Sequence, residues 1–145
     1  MGRDRDADGR ARQSRPRDAL GRPLPYGTDG VEPVSDEPLP PAETVVEATR
    51  LFDEGRPFAA HEVFEARWKD APEHERDLWQ GMAQLCVAVT HALRGNGVGA
   101  ARLLDRGRGR LARYADTGGA TYALDLDAWT ARAQAAVDAA TPTVR

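Results

Sequence analysis

The chain has 145 residues, 41% of them hydrophobic and 30% charged, which suits one polar globular domain. Its 20 basic and 23 acidic side chains leave a formal net charge of −3, so no global field draws it onto nucleic acid or an anionic membrane. The one cysteine, Cys86, cannot form an internal disulfide and excludes a cysteine-only zinc site.

No apolar stretch follows Met1–Asp6, so no secretory signal is expected. The longest uncharged run, Leu78–Leu93, has 16 residues and includes Gln80, Gln84 and His91, too short and too polar to span a bilayer. A free cysteine in an apolar run fits a reducing compartment. The expected location is the cytoplasm.

Residues 1–41 hold seven of the ten prolines, and Arg and Asp dominate the first 18 positions. Such a segment buries too little apolar surface to offset its ordering entropy, so 1–41 is expected to be an extended or disordered arm. The piece Leu20–Gly27 has enough apolar content to lie against the rest. Residues 42–140 are expected to form a single all-helical domain.

Five helices follow in chain order. The first spans Ala42–Glu54, with Pro41 suited to a first helical position, Gly55 to the cap beyond the end, and Val45, Ala48 and Phe52 as its apolar stripe. The second runs from Pro57 to Lys69, with Ala60, Val63, Phe64 and Trp68 on its apolar face. The third runs from Glu73 to Arg94 and is apolar on most sides, which marks a central helix. Its core face reads Leu78, Met82, Leu85, Cys86, Val89 and Leu93. Gly95-Asn96-Gly97 turns the chain into a fourth helix, Val98–Tyr114, with Ala100, Leu104, Leu111 and Tyr114 inward. Asp125 or Asp127 can cap a fifth, which ends near Ala140. No run alternates as a strand would. The expected fold is all-α: a compact array of four to five helices with antiparallel hairpins, preceded by the Pro/Arg/Asp-rich arm.

The stretch Leu51–Gly55 with Phe58-Ala59-Ala60-His61-Glu62-Val63-Phe64-Glu65-Ala66-Arg67-Trp68 is followed by Gln80–Leu85, Leu93–Asn96 and Gly99-Ala100. In this order they resemble the domain-of-unknown-function family 309, whose members carry an A-H-E-x-x-E-x-x-W helix, a Q-G helix and an R-G-N turn leading to G-A. The resemblance covers residues 42–114, and the arm piece Arg15–Pro25 resembles the arms of high-GC bacterial members. It implies an all-helical fold and no activity.

His61 and Glu65 are four apart and share a helix face. A zinc helix of the His-Glu-x-x-His type needs a second histidine where Glu65 stands, and no di-iron Glu-x-x-His occurs. No metal and no cofactor are therefore expected. Antiparallel pairing of the second and third helices sets His61 and Glu62 beside Gln80 and Gly81. His61, Glu62, Glu65, Gln80 and Gln84 make the candidate polar cluster or ligand site, and Phe64, Trp68, Gly81, Gly95 and Asn96 are expected to be structural. Gly81 is expected to let the second helix approach at His61, because glycine inside a helix otherwise costs about 1 kcal/mol. Arg102, Arg106, Arg110 and Arg113, with Arg108, form a basic stripe that lacks aromatics for base stacking. The only serines, Ser14 and Ser35, lie in the arm, and Cys86 has no activating base nearby in sequence.

The expected function is a non-enzymatic helical binding or assembly module built on the His/Glu/Gln cluster. The alternative is a metal-assisted hydrolase or other small enzyme using the same cluster. The expected partner is a small ligand or a protein, with no sequence-specific nucleic acid and no membrane. A homo-oligomer is left open.

Overall fold

In the computed structural model, which describes residues 4–5, 11–12, 17–25 and 30–140, the helical periodicity becomes five helices. They are α1 (Pro41–Asp53), α2 (Pro57–Asp70), α3 (Arg76–Leu93), α4 (Gly97–Asp116) and α5 (Leu126–Ala140). Prolines open α1 and α2, where a missing N–H costs nothing. Asn96 caps α4 by accepting from the Gly99 amide at 3.0 Å, and Gly95 before it takes φ +84°. Asp125, rather than Asp127, caps α5 by accepting from the Ala128 amide at 3.0 Å.

Three local readings of the sequence are corrected. Residues Glu73–Glu75 form a short 3-10 turn before α3 rather than its first α-helical turn. Leu93, the last residue of α3, points outward with 54% of its surface exposed. In α1 the fully buried positions are Thr44, Ala48 and Leu51, whereas Val45 and Phe52 are only partly covered. Thr44 is tolerated inside because its hydroxyl donates to the carbonyls of Leu39 and Pro40, at 3.1 and 3.0 Å.

α3 is the central helix, packed by α2, α4 and α5, while α1 lies on α2. Its residues Leu78, Trp79, Met82, Leu85 and Cys86 are wholly buried. Phe64 of α2 stacks on Trp79 with ring centroids 6.3 Å apart, and Trp129 of α5 meets Phe64 edge-on at 5.9 Å. Trp68 is half-buried. No helix among the described residues is long and apolar enough to cross a membrane.

Before Pro41 the described residues of the arm depart from helix. A two-residue antiparallel ladder pairs β1 (Asp4–Arg5) with β2 (Ala11–Arg12). The remainder of the arm expectation, at 1–3, 6–10, 13–16 and 26–29, lies outside the described residues. Val34 and Leu39, still within the arm, pack against the helical core.

Gly81 does permit close helix approach, but not toward α2. A methyl group there would lie 2.8 Å from Cγ and Cδ2 of Leu111, on α4. Gly107 answers it from α4, where a methyl group would lie 3.0 Å from the Gly81 carbonyl oxygen. The expected contact with His61 is thus replaced by a crossing of α3 and α4. Gly81→Leu is expected to cost about 1–3 kcal/mol through overpacking. In urea melts, adding Leu111→Ala should give a double variant at least about 1 kcal/mol more stable than the summed single changes. Strict additivity would show that Leu111 is not what Gly81 accommodates.

Candidate functional site

The α2 motif places three ionisable side chains within one and a half turns. His61 has both ring nitrogens engaged: Nδ1 lies 3.2 Å from the Phe58 carbonyl oxygen, and Nε2 lies 2.6 Å from Oε2 of Glu65. Lys69 closes on the other Glu65 oxygen at 3.2 Å. The hydrogen bond from His61 holds the Glu65 carboxyl down at about 2, against the opposing effect of burial. Glu62 is moved the other way. Burial raises its pKa, and the charges of His61, Arg17 and Arg56 only partly restrain that rise. Among the described residues no hydrogen bond reaches its carboxyl.

Gln80 and Gln84 lie on α3 with Val87 and His91, at steps of four, three and four residues, each partly exposed. That spacing makes them one seam of the helix. The expected antiparallel pairing sets Gln80 beside His61 and Glu62. Among the described residues no hydrogen bond joins Gln80 or Gln84 to His61, Glu62 or Glu65. Instead Oε1 of Gln84 is buried with no hydrogen-bond partner. His91 receives a hydrogen bond from Asn96 at 3.1 Å, and burial lowers its pKa. Among the described residues no three His, Cys, Asp or Glu side chains stand together as a metal site.

A second polar centre was missed in the sequence. Glu75 is only 7% exposed. It accepts from the Trp79 indole at 3.2 Å and from the Tyr122 hydroxyl at 2.5 Å. Tyr122 also stacks on Trp79 at 5.6 Å, and its hydrogen bond to Glu75 pushes its pKa up to about 12. Tyr122 and Ala123 both adopt positive φ, at 53° and 70°, a conformation costly for non-glycine residues. Trp79, one helical turn beyond Glu75, was the sequence's only signal. Tyr122, 47 residues away, gave none.

The basic stripe of α4 is divided by its surroundings. Arg110 pairs with Asp77 of α3 at 3.0 Å, and Arg113 approaches the same carboxylate at 3.5 Å. Arg108 bonds Gln134 of α5 at 3.1 Å. Arg102 and Arg106 are exposed. Cys86 is wholly buried and its thiol pKa is driven upward, the state of a core residue.

The family model described as Domain of unknown function (DUF309) matches residues 45–103, from α1 into α4. That stretch of the chain is similar to the family model, and the match covers less than half of the 145 residues. The uncharacterized protein YpuF of Bacillus subtilis (strain 168) is 44% identical over 48 residues, which cover 32% of this chain and 28% of that protein. No solved structure matches. His61, Glu62, Glu65, Gln80, Gln84 and Glu75 all lie within the DUF309 stretch, whereas Arg17, Gly107, Leu111 and Tyr122 lie outside it.

Two substitutions separate the two polar centres. Tyr122→Phe should cost about 1.5–3 kcal/mol, the range for a hydrogen bond to a charged group. Gln84→Leu should be stabilising by about 1 kcal/mol, because it removes a buried acceptor with no donor. Thermal melts of both check this, and a Gln84→Leu chain that melts below the parent would mean that Oε1 is satisfied in solution.

Proposed function

We propose that the chain is a cytoplasmic, non-enzymatic binding or assembly module, with a recognition face formed by His61, Glu62 and Glu65 of α2 and by Gln80 and Gln84 of α3. The observation that carries this reading is that both His61 ring nitrogens face acceptors of the chain itself, the Phe58 carbonyl and the Glu65 carboxylate, so neither is directed at a ligand. Glu65, held at about 2, is too acidic to exchange a proton efficiently near neutrality. What stays open is acceptor capacity at the Glu62 carboxyl, while Gln84 Oε1 lacks a donor and is buried. A partner rich in donors, such as an amine, guanidinium or backbone amide, fits that pattern.

A small enzyme is the second reading, favoured by one feature: the raised pKa of Glu62 is what a general acid requires. The two readings share a binding test. The chain isolated from its own cells at low salt should carry a bound species in native mass spectrometry. Glu62→Gln and Gln84→Leu should each lose it. Identical bound masses in the parent and both variants would remove the face from consideration.

Stability against pH provides a second check, because the two carboxylates have opposite signs. The folded pKa of Glu65 lies below its unfolded value of 4.5, so its contribution is present above that value and lost as pH falls toward about 2. Glu65→Gln should therefore destabilise at pH 7, with the deficit closing across that acidic window. The folded pKa of Glu62 is raised, so its charged form opposes folding at neutral pH and the opposition fades as pH falls through that pKa. Glu62→Gln should stabilise at pH 7 and approach the parent in acid. Denaturant melts between pH 2 and 7 read both effects, and equal signs would contradict the different environments of the two groups.

A further inference from the structure

Residues 17–25 form a preorganised turn seated on the first part of α2. Asp18 builds it: Oδ1 accepts from the amides of Leu20 and Arg22, at 3.0 and 2.9 Å, and Oδ2 pairs with the Arg22 guanidinium at 2.7 Å. A backbone bridge between Arg17 and Pro23 closes the loop. Gly21 stands at its tip with φ +76°, buried against the face of Phe58 so closely that a methyl group there would overlap the ring. Phe58 in turn lies 5.0 Å from the His61 ring. Arg94 donates to the Leu20 carbonyl and lies 5.9 Å over the Phe58 ring. The positive charge of Arg17 acts on Glu62. Two further ties run just beyond the turn, from the Val31 amide to the Arg17 carbonyl at 2.9 Å and from Arg56 to the Glu32 carbonyl at 2.6 Å.

These features are those of a ligand in its site. The occupant carries its own hydrogen bonds, and such preorganisation lowers the entropic cost of docking. Its tip has no side chain, as close approach to an aromatic face requires. Its charge complements the half-buried acid beside the platform. We propose that Phe58, His61, Glu62 and Arg94 form a docking platform for a glycine-tipped polypeptide turn bearing an arginine four residues earlier, and that residues 17–25 occupy it in the free chain as a displaceable strap. The partner is a protein that presents the same turn. This rests on α2 as the recognition face and names the class of its partner.

The strap competes at an effective concentration on the order of millimolar, so a free peptide must be nearly excluded while the strap is seated. The probe is a fluorescent peptide of residues Pro16–Pro25, titrated into the full-length chain by anisotropy. Gly21→Val in the chain unseats the strap, because valine both overlaps Phe58 and resists positive φ. The Gly21→Val chain should bind the peptide at least about tenfold more tightly than the parent does. Adding Phe58→Ala should abolish that gain. Should Gly21→Val fail to fold, Asp18→Ala removes the hydrogen bonds that shape the strap, leaves the platform unaltered, and should give a smaller gain of the same kind. Equal binding by parent and released chains, or binding indifferent to Phe58→Ala, overturns the proposal. Arg102→Gln, an exposed change on α4 outside both the platform and the polar face, should leave peptide binding intact. Loss of the bound mass in Glu62→Gln and Gln84→Leu is read without the peptide, so failure of the strap is told apart from failure of the polar face.

Discussion

The near contact of two backbones, where Gly81 of α3 meets Gly107 of α4, fixes the position of everything else. Without side chains at these two points α4 comes close enough for Leu111 to fill the space over Gly81. The same crossing brings Arg110 to Asp77 and thereby neutralises part of the basic face of α4. With α4 on that side, and α2 and α5 on others, the seam through Gln80, Gln84, Val87 and His91 is the part of α3 that stays half-exposed. The polar face of the molecule is thus what helix packing leaves over, and its location follows from two glycines that take no part in its chemistry.

The two glutamates of the α2 motif illustrate how one helix can set opposite states one turn apart. Glu65 is hydrogen-bonded by His61, pairs with Lys69, and is held ionised. Glu62 is more deeply covered, is reached by charges only at longer range, and pays desolvation without a hydrogen bond. A fold selected for stability alone would fill that position with a neutral or apolar residue. An acid that opposes folding stands there with no hydrogen bond among the described residues, and the proposed binding role supplies a reason for it.

Most of the helical architecture was legible because it depends on local signals. Prolines at helix starts, the Gly95-Asn96 turn and the three-and-four spacing of apolar residues each act within a few positions, so all five helices fall close to their expected bounds. The motifs that resemble the DUF309 family were equally local, and the family match covers them. The role of Gly81 was legible only in part. Its presence signalled close approach, but an antiparallel hairpin on each side of α3 offered two partners, and the nearer in sequence was the wrong one. Tyr122 and Glu75 were invisible for a different reason. Their bond joins segments 47 residues apart, and the tyrosine adopts a backbone conformation that propensity argues against.

The arm shows the limit of composition as a guide. Proline density and charge predict an extended chain, since hydrophobic burial alone would not order it. Yet Asp18 supplies order without a core, by satisfying two amides and one guanidinium inside a span of five residues. The segment then needs only a small seat, and a glycine against Phe58 provides it. Part of the order is internal to the segment and part comes from Phe58 and Arg94, so on the proposed exchange the turn leaves its seat with the Asp18 hydrogen bonds still available to it. A tightly integrated arm would have to unfold to detach. On the proposed exchange, a turn that carries its own hydrogen bonds gives way to another of the same form on the same helical face.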